Sequence, residues 1–228
     1  MSQRPINMSS TLKPIPGIKH IIAVGSGKGG VGKSTLSLNL ALALHQTGLQ
    51  CGLLDADIYG PNQAHMLQQN TRATINDNRF EPVLSHGLQT MSMSYLVDDA
   101  TPMVWRGPMV TKMLHQMLFF THWKDIDVLI IDLPPGTGDV PLTLAKKAPI
   151  SNAIIITTPQ NLATADAEKG INMFKKVDVP ILGIIENMCM HTCSQCGHEE
   201  SIFGTDGAAK LVKKTNTKLL GQLPLDSM

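Results

Sequence analysis

The stretch that decides the fold is Ser26-Gly27-Lys28-Gly29-Gly30-Val31-Gly32-Lys33-Ser34-Thr35. From Gly27 it reads glycine, four residues, then Gly-Lys-Ser, the pattern of a loop that wraps phosphate groups. That reading needs a strand before the loop and a helix after it. Both are present: His20–Gly25 is a short apolar run, and Lys33 to about Thr47 reads as a helix stopped by Gly48. Glycines let the backbone fold around phosphate oxygens and aim N–H groups at them from a helix N-terminus whose dipole favours anions. Lys33 is expected to reach the β- and γ-phosphates of ATP, Ser34 to ligate Mg²⁺, and Thr35 to contact the α-phosphate.

Further apolar runs lie at Gln50–Asp55, Asp127–Asp132, Asn152–Thr157, Pro180–Glu186 and Lys218–Leu223. Helical segments are expected near 108–121, 139–148, 161–177 and 205–215. Continuous apolar strands alternating with helices predict an α/β fold, a mostly parallel sheet flanked by helices. A single domain is expected over 18–228, after a flexible arm at 1–17 that carries three prolines, with a small insertion at about 187–204. Residues 70–100 alternate at Leu88, Thr90 and Ser92 but leave strand, hairpin and loop open. Met109, Val110, Met113, Leu114, Met117 and Leu118 share one helical face, and methionine at such spacing is core filling.

Two acidic segments complete the site expected around the loop. Asp132 ends an apolar strand, where a carboxylate near Mg²⁺ belongs, and runs into Leu133-Pro134-Pro135-Gly136-Thr137-Gly138-Asp139, a segment suited to sensing the γ-phosphate. Asp55 and Asp57 stand two residues apart at a strand's carboxyl end. Asp57 is assigned to orienting or deprotonating the attacking water, and Asp55 to the Mg²⁺ shell. Phosphoryl transfer asks mainly for positioning and charge stabilisation, which these groups supply.

Composition sets limits. Apolar residues make up 43% and charged ones 16%, which excludes wholesale disorder. A net charge of +1 and nine aromatic residues (two Trp, two Tyr, five Phe) argue against nucleic acid as the partner. The N-terminus has no apolar core of a signal peptide, and the uncharged stretch 34–54 is broken by Asn39, His45, Gln46 and Gly48. A cytoplasmic chain with no membrane partner is expected.

Three of four cysteines, Cys189, Cys193 and Cys196, fall within eight positions, while Cys51 stands alone in an apolar run. One Cys-x-x-Cys pair fits a redox couple, half of a zinc site or half of an iron–sulfur site. Its polar, glycine-punctuated setting does not resemble the helix start of a redox pair. Cys189, Cys193, Cys196 and His198 form a zinc set within one chain on paper. Alternatively, two cysteines from each of two subunits give the four thiolates of a [4Fe–4S] cluster. Spacing leaves zinc and cluster level.

A second lysine, Lys28, resembles the mark of the deviant Walker A class of dimeric ATPases, KGGxGK[ST]. That resemblance implies that Lys28 reaches the partner subunit's nucleotide, in the manner of an arginine finger. SGKGGVGKST (26–35), LLDADIYGPN (53–62), WRGPM (105–109), LIIDLPPGTGD (129–139) and CSQCGHEESIFG (193–204) together resemble the Mrp/ApbC iron–sulfur cluster carrier ATPases, MinD/ParA-like P-loop proteins. The likeness runs from about Pro16 to the C-terminus. It implies a homodimeric, slow ATPase that holds a labile cluster through Cys193 and Cys196 and passes it from a cluster donor to apo-proteins. Gly27 to Thr35 would bind ATP, and Asn187 with the Pro224-Leu225-Asp226 segment would contact adenine. Relatives often carry a small N-terminal domain and a further helix beyond Asp226. Cys189 lies outside the family's motif. The competing expectation is a MinD/ParA-type positioning ATPase, which requires a membrane-binding helix or a basic surface. Lys210, Lys213, Lys214 and Lys218 are the notable basic cluster and read as a solvated helix face.

Overall fold

The computed structural model describes residues 12–97 and 107–226. Trp105 and Arg106 of the WRGPM segment lie outside the described residues. An eight-stranded sheet forms the centre. β1 (Ile18–Ser26) runs between β7 (Ile126–Asp132) and β8 (Asn152–Thr157). On one side the sheet continues from β7 to β2 (Cys51–Asp55), β6 (Leu88–Met91) and β5 (Val83–Ser85). On the other it continues from β8 to β9 (Ile181–Glu186) and β12 (Leu219–Gln222). All pairings are parallel except β5 on β6 at one edge.

This order follows from the residues. Ile126–Asp132 is buried along almost its full length, as a central parallel strand covered on both faces must be. α1 (Lys33–Gln46) covers one face, packing Leu38 and Ala41 on Val24, Leu53 and Ile130. The other face is covered by α3 (Gly107–Phe119), α4 (Asp139–Lys147), α5 (Asn161–Lys176) and α6 (Gly207–Thr215). The methionine-rich face of α3 is largely core: Val110, Leu114, Met117 and Leu118 are buried, and Met109 at its start is exposed. Cys51 is buried in β2. In the 1–17 stretch the description begins at Leu12, and Ile15 is buried against the core. No helix among the described residues is long and apolar enough to cross a membrane.

The segment that sequence left open contains two tight hairpins. β3 (Ile75–Asn76) returns as β4 (Arg79–Phe80) through Asp77-Asn78, and β5 returns as β6 through His86-Gly87. All four turn residues have positive φ, the conformation of the two-residue turns that match strand twist. β6 then joins β2 in parallel, adding one more strand end to the carboxyl edge.

That edge positions the site. β1, β2, β7, β8 and β9 deliver, in turn, the phosphate loop, Asp55, Asp132, Thr157 and Asn187 to the same side of the sheet. Ligands of open parallel sheets bind there, where the strand order reverses about the first strand. Phe174 of α5 lies fully buried beneath this edge, where a Cβ at Gly25 would meet its ring at 3.1 Å. Phe174→Ala is expected to lower the unfolding free energy by about 3–5 kcal/mol, read by urea denaturation. A loss below about 1 kcal/mol would contradict this packing.

Candidate functional site: a phosphate loop and a cysteine hairpin

The loop from Gly27 to Gly32 leaves β1 and enters α1 at Lys33. Two glycines are required by their surroundings. A Cβ at Gly27 would collide with the main chain of Asp166, and one at Gly32, which has φ +81°, would collide with the Asn187 amide. By contrast, a Cβ at Gly29 or Gly30 would meet no atom within 4 Å. The loop is therefore packed on its base and open at its crown. A cleft of roughly 180 Å³ lies there, walled by the loop, Asp57, Asn62 and Pro135. Room for phosphate oxygens above unobstructed backbone is what such a loop provides.

Beneath the cleft lies a network of buried charge. Parallel register sets Asp55 beside Asp132 on neighbouring strands, each 1% exposed. Lys33 Nζ donates to Asp132 Oδ1 at 2.5 Å and to Ser34 Oγ at 3.3 Å. Ser37 Oγ donates to the same Asp132 Oδ1 at 3.0 Å, and Gln63 Nε2 to Asp132 Oδ2 at 2.9 Å. Asp55 accepts from the Gln63 and Asp57 main-chain N–H groups and from Ser92 Oγ. Burial, followed by the charge on Asp132, pushes the Asp55 carboxyl up to about 7. Burial also raises the Asp57 carboxyl, against the opposing pull of Lys33. A site with two crowded carboxylates and one cation, its donors nearly all oxygen, suits a hard divalent cation.

The structure thus gathers Lys33, Ser34, Asp55, Asp57 and Asp132 into one network, with Thr35 on the cleft wall. Lys28 Nζ donates to Gln160 Oε1 at 3.3 Å. Asn187 follows β9, and its Nδ2 donates to Val31 O at 3.0 Å, so it touches the phosphate loop directly. Pro224 and Asp226 follow β12. There Leu223 N donates to Glu186 O, Cys189 N donates to Leu223 O, and Leu225 N donates to Met190 O. That ladder carries the Pro224 segment alongside the chain leaving Asn187. Sequence reasoning missed Ser37, Gln63, Ser92 and Gln160. Ser37 was findable, four residues beyond Lys33 on one helix face. The others enter through tertiary contacts that leave no local spacing to read.

The cysteine insertion is a separate two-stranded hairpin, β10 (His191–Thr192) paired with β11 (Glu199–Glu200). Its tip is closed by Cys193 N to His198 O and Gly197 N to Cys193 O, both 2.9 Å. Cys193 and Cys196 therefore sit in a tight turn, not at a helix start. Main-chain N–H groups of Cys196 and Gln195, with the Cys196 side chain, hold the Cys193 thiol below its usual range. Burial, then Glu186, pushes the Cys189 thiol the other way. Cys196 is exposed. Among the described residues, no three His, Cys, Asp or Glu side chains converge as a metal-holding group. In the basic cluster, Lys214 is paired with Glu168 at 2.8 Å.

Fold and site together define a P-loop NTPase of the MinD/ParA type. A solved structure of a nucleotide-binding protein from Archaeoglobus fulgidus, in complex with ADP, is similar at a TM-score of 0.81 and 37% identity, covering 92% of this chain and 84% of that one. MinD from Pyrococcus furiosus shares the fold at a TM-score of 0.64 and 20% identity, covering 91% of this chain and 84% of its own. The chain belongs to the NUBPL iron-transfer P-loop NTPase family, whose model matches residues 17–228. It is 58% identical over 213 residues to the iron-sulfur cluster carrier protein of Escherichia coli K12, covering 92% of this chain and 58% of that protein. It is 45% identical to the mouse iron-sulfur cluster transfer protein NUBPL, covering 93% of this chain and 68% of the mouse protein. The chain thus spans somewhat over half the length of the Escherichia coli relative.

Lys33→Ala is expected to abolish nucleotide binding and also to cost about 3–5 kcal/mol of stability, since it strands a buried Asp132 charge. The buried ion pair adds the stability cost, measured by urea denaturation of the ligand-free protein. Lys33→Arg, which keeps a cation, should recover most of that stability and none of the binding by calorimetry. Full ATP binding by Lys33→Ala would refute the site.

Proposed function

We propose that this chain is an ATP-binding and ATP-hydrolysing iron–sulfur cluster carrier that works as a homodimer, accepts a [4Fe–4S] cluster from a donor and passes it to apo-proteins. The observation that carries the reading is the hairpin tip. It presents two cysteines in one tight turn, two main-chain N–H groups holding the Cys193 thiol below its usual range, and among the described residues no three His, Cys, Asp or Glu side chains converge as a metal-holding group. Four thiolates then require two chains. The turn geometry supports metal binding over a redox couple, and the family and its named carriers support iron over zinc.

In the nucleotide site, main-chain N–H groups of Gly29 to Thr35 and the Lys33 ammonium hold the phosphates of ATP. Ser34, Asp55 and Asp132 are the residues that would hold Mg²⁺, directly or through water, and their oxygen donors fit it. Held there, Mg²⁺ would neutralise charge on the β- and γ-phosphates. Lys33 leaves Asp132 for those phosphates. Asp57, half-buried on the cleft wall, orients the attacking water. Lys28 reaches across to the nucleotide of the second chain, where its charge stabilises the transition state. Asn187, Pro224 and Asp226 flank the adenine. The Asn187 amide at the loop and the 189–190 ladder with 223–225 make one connected path between nucleotide and cysteines.

Anaerobic reconstitution of wild-type protein should give one [4Fe–4S] cluster per two chains, read by visible absorption and iron analysis. Cys193→Ala or Cys196→Ala should each abolish it, and Cys189→Ala should retain it. Normal loading in both tip variants, or zinc in place of iron in protein purified without oxygen, would sink the carrier reading. Separately, Lys28→Ala should lower ATP turnover at least ~100-fold, as expected on losing a charge that acts in the transition state, with ATP affinity changed little. Turnover equal to wild type would remove Lys28 from the mechanism.

A further inference from the structure

We propose that Gln63 is a positioning residue of the nucleotide site, whose side-chain Oε1 accepts a hydrogen bond from a water in the shell of nucleotide-bound Mg²⁺. The inference rests on the nucleotide reading above. Gln63 is the first residue of the short helix α2 (Gln63–Met66) and is 1% exposed. Its main-chain N–H is anchored on Asp55 Oδ2 at 3.1 Å. Its Nε2 donates to Ser34 O at 3.0 Å and to Asp132 Oδ2 at 2.9 Å. Those two acceptors decide which way the amide faces, because turning it over would set Oε1 against two oxygens.

Oε1 is then left buried with no hydrogen-bond partner among the described residues. Such an orphan is rare enough in a folded protein to require an explanation. Neighbouring donors are engaged elsewhere: Lys33 Nζ directs two of its three protons to Asp132 and Ser34, the single Ser37 Oγ proton is shared between Lys33 O and Asp132, and Ser92 Oγ donates to Asp55. A proton donor that arrives with the ligand, among the three residues that would hold Mg²⁺, supplies the partner Oε1 lacks. Mg²⁺ held by one or two carboxylates keeps several waters, and each is a strong donor. Partners of this kind orient a metal's ligands without touching the metal. A purely structural Gln63 needs its two Nε2 bonds and has no use for Oε1.

The test compares ADP affinity with excess Mg²⁺ and with excess EDTA, by calorimetry on the full chain. Gln63→Leu removes both amide atoms, and Gln63→Met does so while keeping side-chain length. Wild type should bind ADP more tightly with Mg²⁺. Each variant should lose at least about tenfold of that gain, the ratio of its affinities in the two buffers. A Mg²⁺ gain equal to wild type in both variants overturns the proposal. So does equal weakening in both buffers, or loss of a cooperative unfolding transition in both variants, since each makes Gln63 structural. A wild-type chain that binds no ADP in either buffer overturns the nucleotide reading and this assignment with it.

Discussion

Asp132 is an acidic group at the end of a central, almost fully buried strand, and much of the site is arranged to tolerate its charge. Taking a carboxylate out of water costs several kcal/mol unless partners compensate. Here Lys33, Ser37 and Gln63 converge on its two oxygens. The helix that supplies Lys33 and Ser37 is the one entered through the phosphate loop, so the loop's glycines and the strand's carboxylate are parts of one solution. Strand register then adds a conflict by setting Asp55 alongside. One lysine cannot satisfy two carboxylates, and burial together with the Asp132 charge raises the Asp55 carboxyl. A site in this condition has a standing demand for more positive charge.

Most of the architecture was readable because it rests on local rules. Apolar runs bounded by glycine or acidic residues gave β1, β2, β7, β8 and β9 within a residue or two, and helical spacing gave α1 and α3 to α6. The failure at 70–97 is equally physical. Neither Asp77-Asn78 nor His86-Gly87 is the Asn-Gly pair that advertises a tight hairpin, yet both take up the positive φ such turns need. Within the site, residues at strand ends or inside the glycine loop were legible, since position alone implied their role. Gln63 and Ser92 were not. Gln63 matters because α2 folds back onto Asp55, and Ser92 because β6 joins the sheet beyond β2.

The cysteines show the same division between composition and geometry. Counting them could not separate zinc from a shared cluster, because both uses accept a Cys-x-x-Cys. What distinguishes Cys189 from Cys193 is backbone direction. Two N–H groups point at the Cys193 sulfur, whereas Cys189 lies close to the buried Glu186 carboxylate. The same four-residue spacing on a helix would have meant something else.

The hairpin that carries Cys193 and Cys196 shares no strand with the eight-stranded sheet. Its ties run through the 189–191 and 223–225 ladder that continues β12, so its tip can fluctuate without breaking a rung of the central sheet. Amide protons at its tip would exchange with solvent long before those of β7. A fluctuation at the tip would leave the central strands, and the residues at their carboxyl ends, in place.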